Sequence, residues 1–359
     1  MKIWRFLVGG FAVVGVLAML LTIVVMVAVS RLADLSGAPV EPPETIVLRL
    51  DLRDRPADRA PASPVFGRFD GQNATLRELV EALDRGRDDP RVAGLVGHFD
   101  SEAFDPATAQ ELRDAVRRFR ASGKFAIAYA DTLGEGGPAN AAYYLASSFD
   151  ELWMLPLGTI GLTGFYIEVP FAQEGLEELG IEAEFARRGP YKSFSEVFTE
   201  REFTPAHREM MESLVGDLYD QLVAGIAENR GIDEGTVRAL IDGGPYSAVE
   251  AEALGLIDRL AGRRDIRTEI EARAGSTADT MDADDYLTVA PAPERDSQWR
   301  IALIYATGPI MLGNDGQSPF GDGQMAADTI AGALNEAIDD ELVQAIVMRV
   351  DSPGGSAVA

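Results

Sequence analysis

Cysteine is absent from this 359-residue sequence, and histidine and lysine are both scarce. The lack of cysteine excludes disulfides, thiolate metal sites and a cysteine nucleophile, but it does not reveal the redox compartment. Histidine occurs at His98 and His207, and lysine occurs at Lys2, Lys124 and Lys192. Any reaction that needs a histidine or lysine base therefore has few residues to use.

Positive charge is also in short supply. The sequence has 32 lysine and arginine residues against 58 aspartate and glutamate residues, a formal net charge of −26. A nucleic acid would require a basic face, so we expect no nucleic-acid partner. The length and the hydrophobic fraction of 47% are those of an ordinary globular protein with room for two domains.

The N-terminus contains a long apolar run. Lys2 and Arg5 precede 24 uncharged residues, 6–29, which is enough to cross a bilayer as a helix. Ala28-Val29-Ser30 resembles a signal-peptide cleavage site, but the run is longer than the usual apolar region of about 7–15 residues. We therefore predict an uncleaved, single-pass anchor with a cytoplasmic N-terminus, which leaves everything after Arg31 outside the inner membrane.

Residues 1–31 are thus predicted as the cytoplasmic tip and anchor, and the proline-containing residues 32–44 as a stalk. Beyond the stalk, short apolar strands alternate with helices, which is typical of an α/β fold. Strands are predicted at Ile46–Leu50, Val92–Val96, Phe125–Ala130, Glu151–Leu155, Ile301–Tyr305 and Gln344–Val350.

Capping signals mark the predicted helices. Thr75 with Glu78 forms a capping box, and Asp105 precedes a proline at the first helical position. Thr204-Pro205 begins the longest predicted helix, which should end near Arg230.

An internal duplication is predicted from two short matches. Residues 340–347 resemble residues 89–96 at an offset of 251, and Ile301–Tyr305 resembles the strand that begins at Ile46. Residues 45–262 are therefore predicted as a first repeat, 263–298 as a linker of weak periodicity, and 299–359 as the start of a second, incomplete repeat.

Ser356 is the candidate nucleophile. It follows an apolar strand and a Pro-Gly-Gly turn, in which Gly354 and Gly355 permit the backbone N–H groups to converge on an oxyanion. Gly308, in Thr307-Gly308-Pro309, is a further candidate for the oxyanion site, although it also fits a plain turn. Taken alone, a Ser-Pro-Gly-Gly-Ser string is most often a turn.

A serine hydroxyl needs a base to become a good nucleophile. His98 ends a predicted strand and His207 lies in the first turn of the long helix, so both are better explained as structural or solvated. Lys124 fits a solvated loop position. Lys192 follows a predicted apolar strand and lies between aromatic residues, where burial would favour a neutral amine. On local features alone, a surface lysine in a loop is the simpler interpretation.

These motifs together resemble one family, the long, duplicated form of signal peptide peptidase A, also called protease IV. The resemblance extends from the N-terminal anchor almost to the end of the sequence. It rests on Gly189-Pro190-Tyr191-Lys192-Ser193, Thr204-Pro205, Tyr143-Tyr144-Leu145-Ala146-Ser147, Gly161-Leu162-Thr163-Gly164 and Asp351-Ser352-Pro353-Gly354-Gly355-Ser356.

The resemblance implies a membrane-anchored serine endopeptidase of the bacterial inner membrane. Ser356 matches the nucleophile and Lys192 the general base, each from a different repeat, on a fold shared with the Clp protease subunit and the crotonases. It also implies hydrophobic peptide substrates such as remnant signal peptides, a homo-oligomer, and catalysis without metal or cofactor.

Two other functions fit the same sequence. One is a crotonase-like acyl-transfer enzyme, and the other is a membrane-tethered scaffold without catalysis. Because the sequence ends at Ala359, three residues after Ser356, the match covers the N-terminal part of the family's length. We expect this 359-residue chain by itself to be inactive.

The charge pattern at the N-terminus yields a topological prediction. In cells stripped of their outer membrane, added protease should degrade the part of the chain after Arg31, while a tag placed before Lys2 stays protected. Immunoblotting against both ends measures the result. Degradation that requires rupture of the inner membrane would show the opposite orientation.

Overall fold

The computed structural model describes residues 43–59, 74–100, 104–291, 297–314 and 324–359. The predicted anchor at residues 6–29 lies outside these ranges. Within them, no helix is both long enough and apolar enough to cross a membrane.

Six parallel strands form the central sheet, which confirms the predicted α/β class. Their order across the sheet is β7-β4-β3-β2-β1-β8, and each neighbouring pair is parallel. The strands are β1 (Ile46–Leu52), β2 (Val92–Phe99), β3 (Phe125–Ala130), β4 (Glu151–Met154), β7 (Arg259–Leu260) and β8 (Asp279–Asp282). A short antiparallel pair, β5 (Thr159–Ile160) and β6 (Tyr246–Ser247), lies outside the sheet.

Helices connect these strands because parallel neighbours require crossover connections. Those in the described ranges are α1 (Leu76–Asp88), α2 (Pro106–Arg120), α3 (Asn140–Ala146), α4 (Gln173–Glu178), α5 (Glu196–Thr199), α6 (Pro205–Arg230), α7 (Glu234–Gly243), α8 (Ala248–Ala253), α9 (Arg263–Ala274), α10 (Ala283–Val289) and α11 (Ala327–Asp339).

Both faces of the sheet are covered, as a parallel sheet requires. Side chains alternate along β1, so that Leu48 and Leu50 point into a large core with α1, α2, α3 and α6. Val47 points to the other face, into a smaller core that Ile266 and Ile270 of α9 cover. Fully buried leucine and valine side chains contribute roughly 1.5–3 kcal/mol each, so these two layers position the strand ends.

The predicted helix ends are confirmed where a capping side chain defines them. The Thr75 hydroxyl accepts from the Glu78 N–H, and the Glu78 carboxylate accepts from the Thr75 N–H at 2.8 Å. Asp105 accepts from the Thr108 N–H at 2.9 Å, and α6 ends at Gly231 with φ 65° and ψ 32°. Hydrogen bonds between residues close in sequence determine where these helices begin and end. A short stretch of sequence was therefore enough to predict them.

The interval predicted as a linker, 263–298, differs from the structure. It contains α9, β8 and α10, and β8 joins the central sheet beside β1. In α10, Tyr286 is fully buried and its hydroxyl donates to Asp89 at 3.1 Å. The interval looked irregular because β8 is a polar edge strand of four residues, which has no apolar pattern to recognise. The other predicted domain boundaries stay predictions.

A second pair of parallel strands lies apart from the central sheet. β9 (Arg300–Thr307) pairs with β12 (Val343–Asp351), and the short strands β10 (Ile310–Met311) and β11 (Met325–Ala326) form a further parallel pair. Apolar side chains on β9 and β12 are exposed, among them Ile301 at 67% and Val350 at 56%.

The second pair repeats the local geometry of the first at the predicted offset. α11 begins and ends 251 residues after α1. After α1, the Asp89 side chain accepts from the Arg91 N–H at 3.0 Å, and after α11 the Asp340 side chain accepts from the Leu342 N–H at 2.9 Å.

The strand pairing repeats as well. β1 and β2 share a register irregularity directly after the Ile46–Val92 pair, and β9 and β12 share one directly after Arg300–Val343. Val343 lies 251 residues after Val92. A helix, a turn, a strand and an irregularity therefore recur together at one spacing.

Two glycines of α6 provide a matched test of how this helix packs. A Cβ atom on Gly225 would lie 2.1 Å from the Tyr144 ring, whereas one on Gly216 would meet nothing within 4 Å. We predict that Gly225→Ala lowers the free energy of unfolding by about 1–3 kcal/mol through overpacking. Gly216→Ala should raise it by roughly 0.5–1 kcal/mol through helix propensity.

Urea unfolding of both variants measures these changes. Equal effects of the two substitutions would contradict the close packing of α6 against α3.

Candidate active site

Ser356 lies in the turn that follows β12. Its N–H donates to the Ile310 carbonyl at 2.9 Å, and the Ile310 N–H donates to the Gly354 carbonyl at 3.0 Å. These two bonds pair the turn with β10 in parallel. The backbone of Ser356 is therefore held from both sides of Gly355.

The two glycines of the turn have distinct physical roles. Gly354 has φ 101°, in the region that favours glycine. At Gly355, a Cβ atom would lie 2.2 Å from the Ile310 carbonyl oxygen and 2.7 Å from the Ile310 nitrogen. The close approach of the turn to β10 thus excludes a larger residue at Gly355.

The N–H groups predicted for an oxyanion site are unequally available. The Gly308 N–H donates to the Asp351 carbonyl at 2.9 Å, and the Gly354 N–H donates to the Ser352 hydroxyl at 3.1 Å. The Gly355 N–H has no hydrogen-bond partner among the residues that the structure describes. The predicted oxyanion role of Gly308 conflicts with this geometry, because its N–H already donates to Asp351 and continues the β9–β12 pairing.

The Ser356 side chain has the geometry of a helix N-cap. Its Oγ accepts from the N–H groups of Val358 and Ala359, both at 3.3 Å. Asp105, which lies 251 residues earlier, accepts from the Thr108 N–H in the same way at the start of α2. At both positions, therefore, a side-chain oxygen accepts from a backbone N–H three residues later.

Ion pairs hold the end of β12 against the first part of the chain. Arg55 lies 3.0 Å from the Asp105 carboxylate and 3.1 Å from the Asp351 carboxylate. Arg349 lies 2.8 Å from both Asp58 and Glu111. Except for Asp58, which is largely buried, these side chains are partly exposed. Exposed pairs of this kind contribute little to stability. Their effect is to bring the turn of Ser356 close to the start of α2.

Lys192 lies in an irregular segment, and the apolar strand predicted before it is not present. Its side chain is exposed, between Tyr191 and Phe194, which is 78% exposed. Its amine has no hydrogen bond or ion pair to any described residue, and none joins it to Ser356. The burial expected for Lys192 is therefore absent from this structure, because the segment around it packs on the body of the chain only from Ser195 onward.

A buried polar cluster directly follows Lys192, and the sequence analysis missed it. Glu196 is fully buried, pairs with Arg187, accepts from the Thr204 hydroxyl at 2.9 Å and lies 3.1 Å from Nδ1 of His207. Burial opposes ionisation of Glu196, but hydrogen bonds from Arg187 and Thr204 outweigh it and keep its pKa below the usual value. A glutamate within the apolar run Phe194–Phe198 was the available signal.

The other candidate bases, His98 and Lys124, make contacts that stabilise the fold. His98 stacks near Tyr129 at a ring distance of 5.5 Å, and burial lowers its pKa, which favours the neutral ring. The Lys124 amine donates to the carbonyls of Gly86 and Asp89 at 2.6 Å each, at the end of α1. Neither residue lies in the turn of Ser356 or in the segment of Lys192.

A groove of about 540 Å³ lies between α6 and residues 163–167. Its lining is largely apolar and includes Phe165, Phe203, Met211 and Tyr219. Phe203 also contacts the ring of His207, at a centroid distance of 4.8 Å. The groove therefore adjoins the buried cluster that follows Lys192.

Comparison with known proteins identifies the family. Residues 118–277 match the model of peptidase family S49. Protease 4 of Salmonella typhi is 31% identical over 338 residues, which cover 90% of this chain and 52% of that protein. The chain belongs to peptidase family S49. The predicted resemblance to signal peptide peptidase A is thereby confirmed.

Other relatives agree with the S49 assignment. Protease 4 of Haemophilus influenzae is 31% identical over 303 residues, 79% of this chain and 47% of that protein. The chloroplastic serine protease SPPA of Arabidopsis thaliana is 27% identical over 322 residues, 87% of this chain and 45% of that protein. The S49 chain spans about half the length of the curated relatives it matches.

Solved structures show only a distant likeness to the S49 chain. A membrane-bound stomatin-specific protease in complex with a substrate peptide has a TM-score of 0.35 at 11% identity, over 69% of this chain and 97% of that one. An enoyl-CoA hydratase/isomerase family protein from Silicibacter pomeroyi has a TM-score of 0.31 at 19% identity, over 64% and 78%. TM-scores below 0.5 are too low to assign an architecture, so the Clp-like or crotonase-like architecture stays a prediction.

The contact between Gly355 and Ile310 yields a test of the turn. Gly355→Ala should separate the turn from β10, because the new Cβ would overlap the Ile310 carbonyl. We expect hydrogen exchange at the Ile310 and Ser356 amides to accelerate at least about tenfold, the equivalent of roughly 1.4 kcal/mol. Amide exchange measured by NMR reports this directly.

Gly332→Ala is the matched control, since a Cβ there meets nothing within 4 Å. Unchanged exchange at Ile310 and Ser356 in the Gly355 variant would contradict the described pairing.

Proposed function

We propose that this S49 protein is a serine peptidase in which Ser356 is the nucleophile and Lys192 the general base. The observation that supports it most is the turn of Ser356. There the hydroxyl accepts from two backbone N–H groups, beside a Gly355 N–H for which no described residue provides an acceptor. Membership of a peptidase family gives this arrangement its chemical meaning.

The nucleophilic step begins at the Ser356 hydroxyl. As its proton leaves, the N–H groups of Val358 and Ala359 stabilise the charge that develops on Oγ. The oxygen then attacks a peptide carbonyl to form a tetrahedral intermediate. The Gly355 N–H is positioned to donate to the resulting oxyanion, a contribution worth about 3–4 kcal/mol per donor in acyl-transfer enzymes.

Lys192 would accept the Ser356 proton and return it to the leaving amine. A lysine performs this role only as a neutral amine, which burial favours. Since Lys192 is exposed in the described chain, the proposal requires that substrate or a neighbouring subunit cover it and bring it within hydrogen-bond distance of Ser356.

We interpret the matched geometry at residues 76–99 and 327–350 as an internal duplication. On this interpretation the first copy provides Lys192 and the second provides Ser356. Asp105 occupies the position of Ser356 in the first copy, and Glu102-Ala103-Phe104 occupies the position of Pro353-Gly354-Gly355.

Hydrophobic peptides, such as remnant signal peptides, are the proposed substrates. The exposed aromatic side chains of Tyr191 and Phe194 beside Lys192, and the apolar groove along α6, favour such ligands. Anchoring through residues 6–29 would place the enzyme at the outer face of the bacterial inner membrane as a homo-oligomer. The mechanism assigns no role to a metal or cofactor.

The mechanism predicts that Ser356→Ala and Lys192→Met in the full-length protein each lower kcat without unfolding it. We expect losses of at least about 10⁴-fold for Ser356 and about 10²–10⁴-fold for Lys192, because the nucleophile and its base act together. Turnover of a purified apolar peptide measures both.

Lys124→Met is the matched control. It removes an amine that stabilises the end of α1, so it should lower stability and leave kcat unchanged. Wild-type turnover in the Ser356 or Lys192 variant would remove that residue from the mechanism. Covalent labelling of Ser356 by a fluorophosphonate would further separate a hydrolase from a scaffold.

A further inference from the structure

The buried cluster around Glu196 has no role in the proton transfers described above. We propose that Glu196 is a positioning residue, which fixes the Lys192 segment to the N-terminus of α6 and so determines where the base lies. This inference rests on the proposed function of Lys192.

Both carboxylate oxygens of Glu196 are in use. Oε1 pairs with Arg187, which precedes Lys192 by five residues, and Oε2 binds Thr204 and His207 at the start of α6. Glu196 itself follows Lys192 by four residues. The carboxylate thus joins both sides of the Lys192 segment to the same helix end.

The Lys192 side chain has no partner of its own among the described residues. Nothing but its backbone therefore sets its position, and few backbone hydrogen bonds are available in an irregular segment. The Glu196 N–H donates to Ser193, and the Val197 carbonyl accepts from Ala172 at 2.7 Å. The Tyr191 hydroxyl adds one exposed link, since it donates to Glu209 of α6 at 3.1 Å. The Glu196 carboxylate is the buried link that joins the segment to the start of α6.

The cluster is shielded from water, which makes its contacts strong and specific. The rings of Phe203 and Phe171 lie edge-on to His207, at 4.8 and 6.3 Å. A buried carboxylate is tolerated only when its hydrogen bonds are satisfied, and its geometry is then closely specified. Arg187, Thr204 and His207 all contact the Glu196 carboxylate, so its position relative to the start of α6 is closely specified.

The test replaces Glu196 by an isosteric neutral residue in the full-length protein. In Glu196→Gln we expect kcat on an apolar peptide to fall about 10–100-fold, the usual effect of removing an outer positioning contact, with KM within about threefold of wild type. Glu202→Gln is the matched control, an exposed residue nearby that also loses one negative charge, and it should keep wild-type kinetics.

A conservative pair at Thr204 tests the same contact from the other side. Thr204→Val removes the hydroxyl that donates to Glu196 and should reproduce the loss in kcat. Thr204→Ser keeps the hydroxyl, so this variant should retain wild-type turnover. Because the Thr204 hydroxyl also caps α6 by accepting from the His207 N–H, Thr204→Val should lose stability as well. Urea unfolding is therefore measured on both variants, and a merely structural role would lower kcat only under conditions in which Thr204→Val unfolds.

Hydrogen exchange by mass spectrometry gives a readout that does not depend on catalysis. Glu196→Gln should accelerate exchange in residues 193–208 and leave β1–β3 unchanged. If Lys192→Met retained full turnover, the proposed base would be wrong, and this local exchange would still decide whether Glu196 fixes the segment.

Two results would overturn the inference. One is a wild-type kcat in Glu196→Gln while Lys192→Met is inactive. The other is exchange that stays unchanged in residues 193–208, or that rises equally in the central strands.

Discussion

Parallel pairing is the constraint on which the rest of this structure depends. Every neighbouring pair in the central sheet is parallel, so each strand must return through a crossover, and apolar side chains must be covered on both faces. Because the strands are parallel, the carboxyl ends of all of them lie at the same edge of the sheet. The same rule applied to β9 and β12 puts Ser356 in a turn at the carboxyl end of a strand, where a side chain is free to meet a ligand.

Local rules account for the elements that the sequence could predict. Thr75, Asp105 and Thr204 each accept a hydrogen bond from an N–H within three residues, so each helix start was visible in a short stretch of sequence. β8 was missed because a polar strand of four residues is stabilised by its neighbour β1 rather than by its own composition. An Arg49–Asp282 ion pair across that edge joins residues 233 positions apart.

In the candidate site, too, the sequence predicted features that depend on neighbouring residues and missed those that depend on residues far apart in the chain. A Pro-Gly-Gly turn before Ser356 was recognisable, and the family to which the chain belongs was confirmed. The hydrogen bond from the Gly308 N–H to the Asp351 carbonyl could not be predicted from the sequence, because it depends on the pairing of β9 with β12. The irregular segment before Lys192 and the partners of Glu196 likewise depend on α6, whose first turn begins nine residues after the buried carboxylate. Distances of this kind leave no periodic pattern in a sequence.

The equivalence of Asp105 and Ser356 has a consequence for the chemistry of the turn. Asp105 caps the start of α2 as a permanent anion. Burial opposes its ionisation, but the Thr108 hydrogen bond and Arg55 keep its pKa below the usual value. The backbone N–H groups at the start of α2 therefore accommodate a full negative charge at rest. At Ser356 that charge would exist only for the lifetime of an alkoxide, in a frame already organised to receive it. Electrostatic preorganisation of a catalytic oxygen can thus originate in the ordinary capping of a helix.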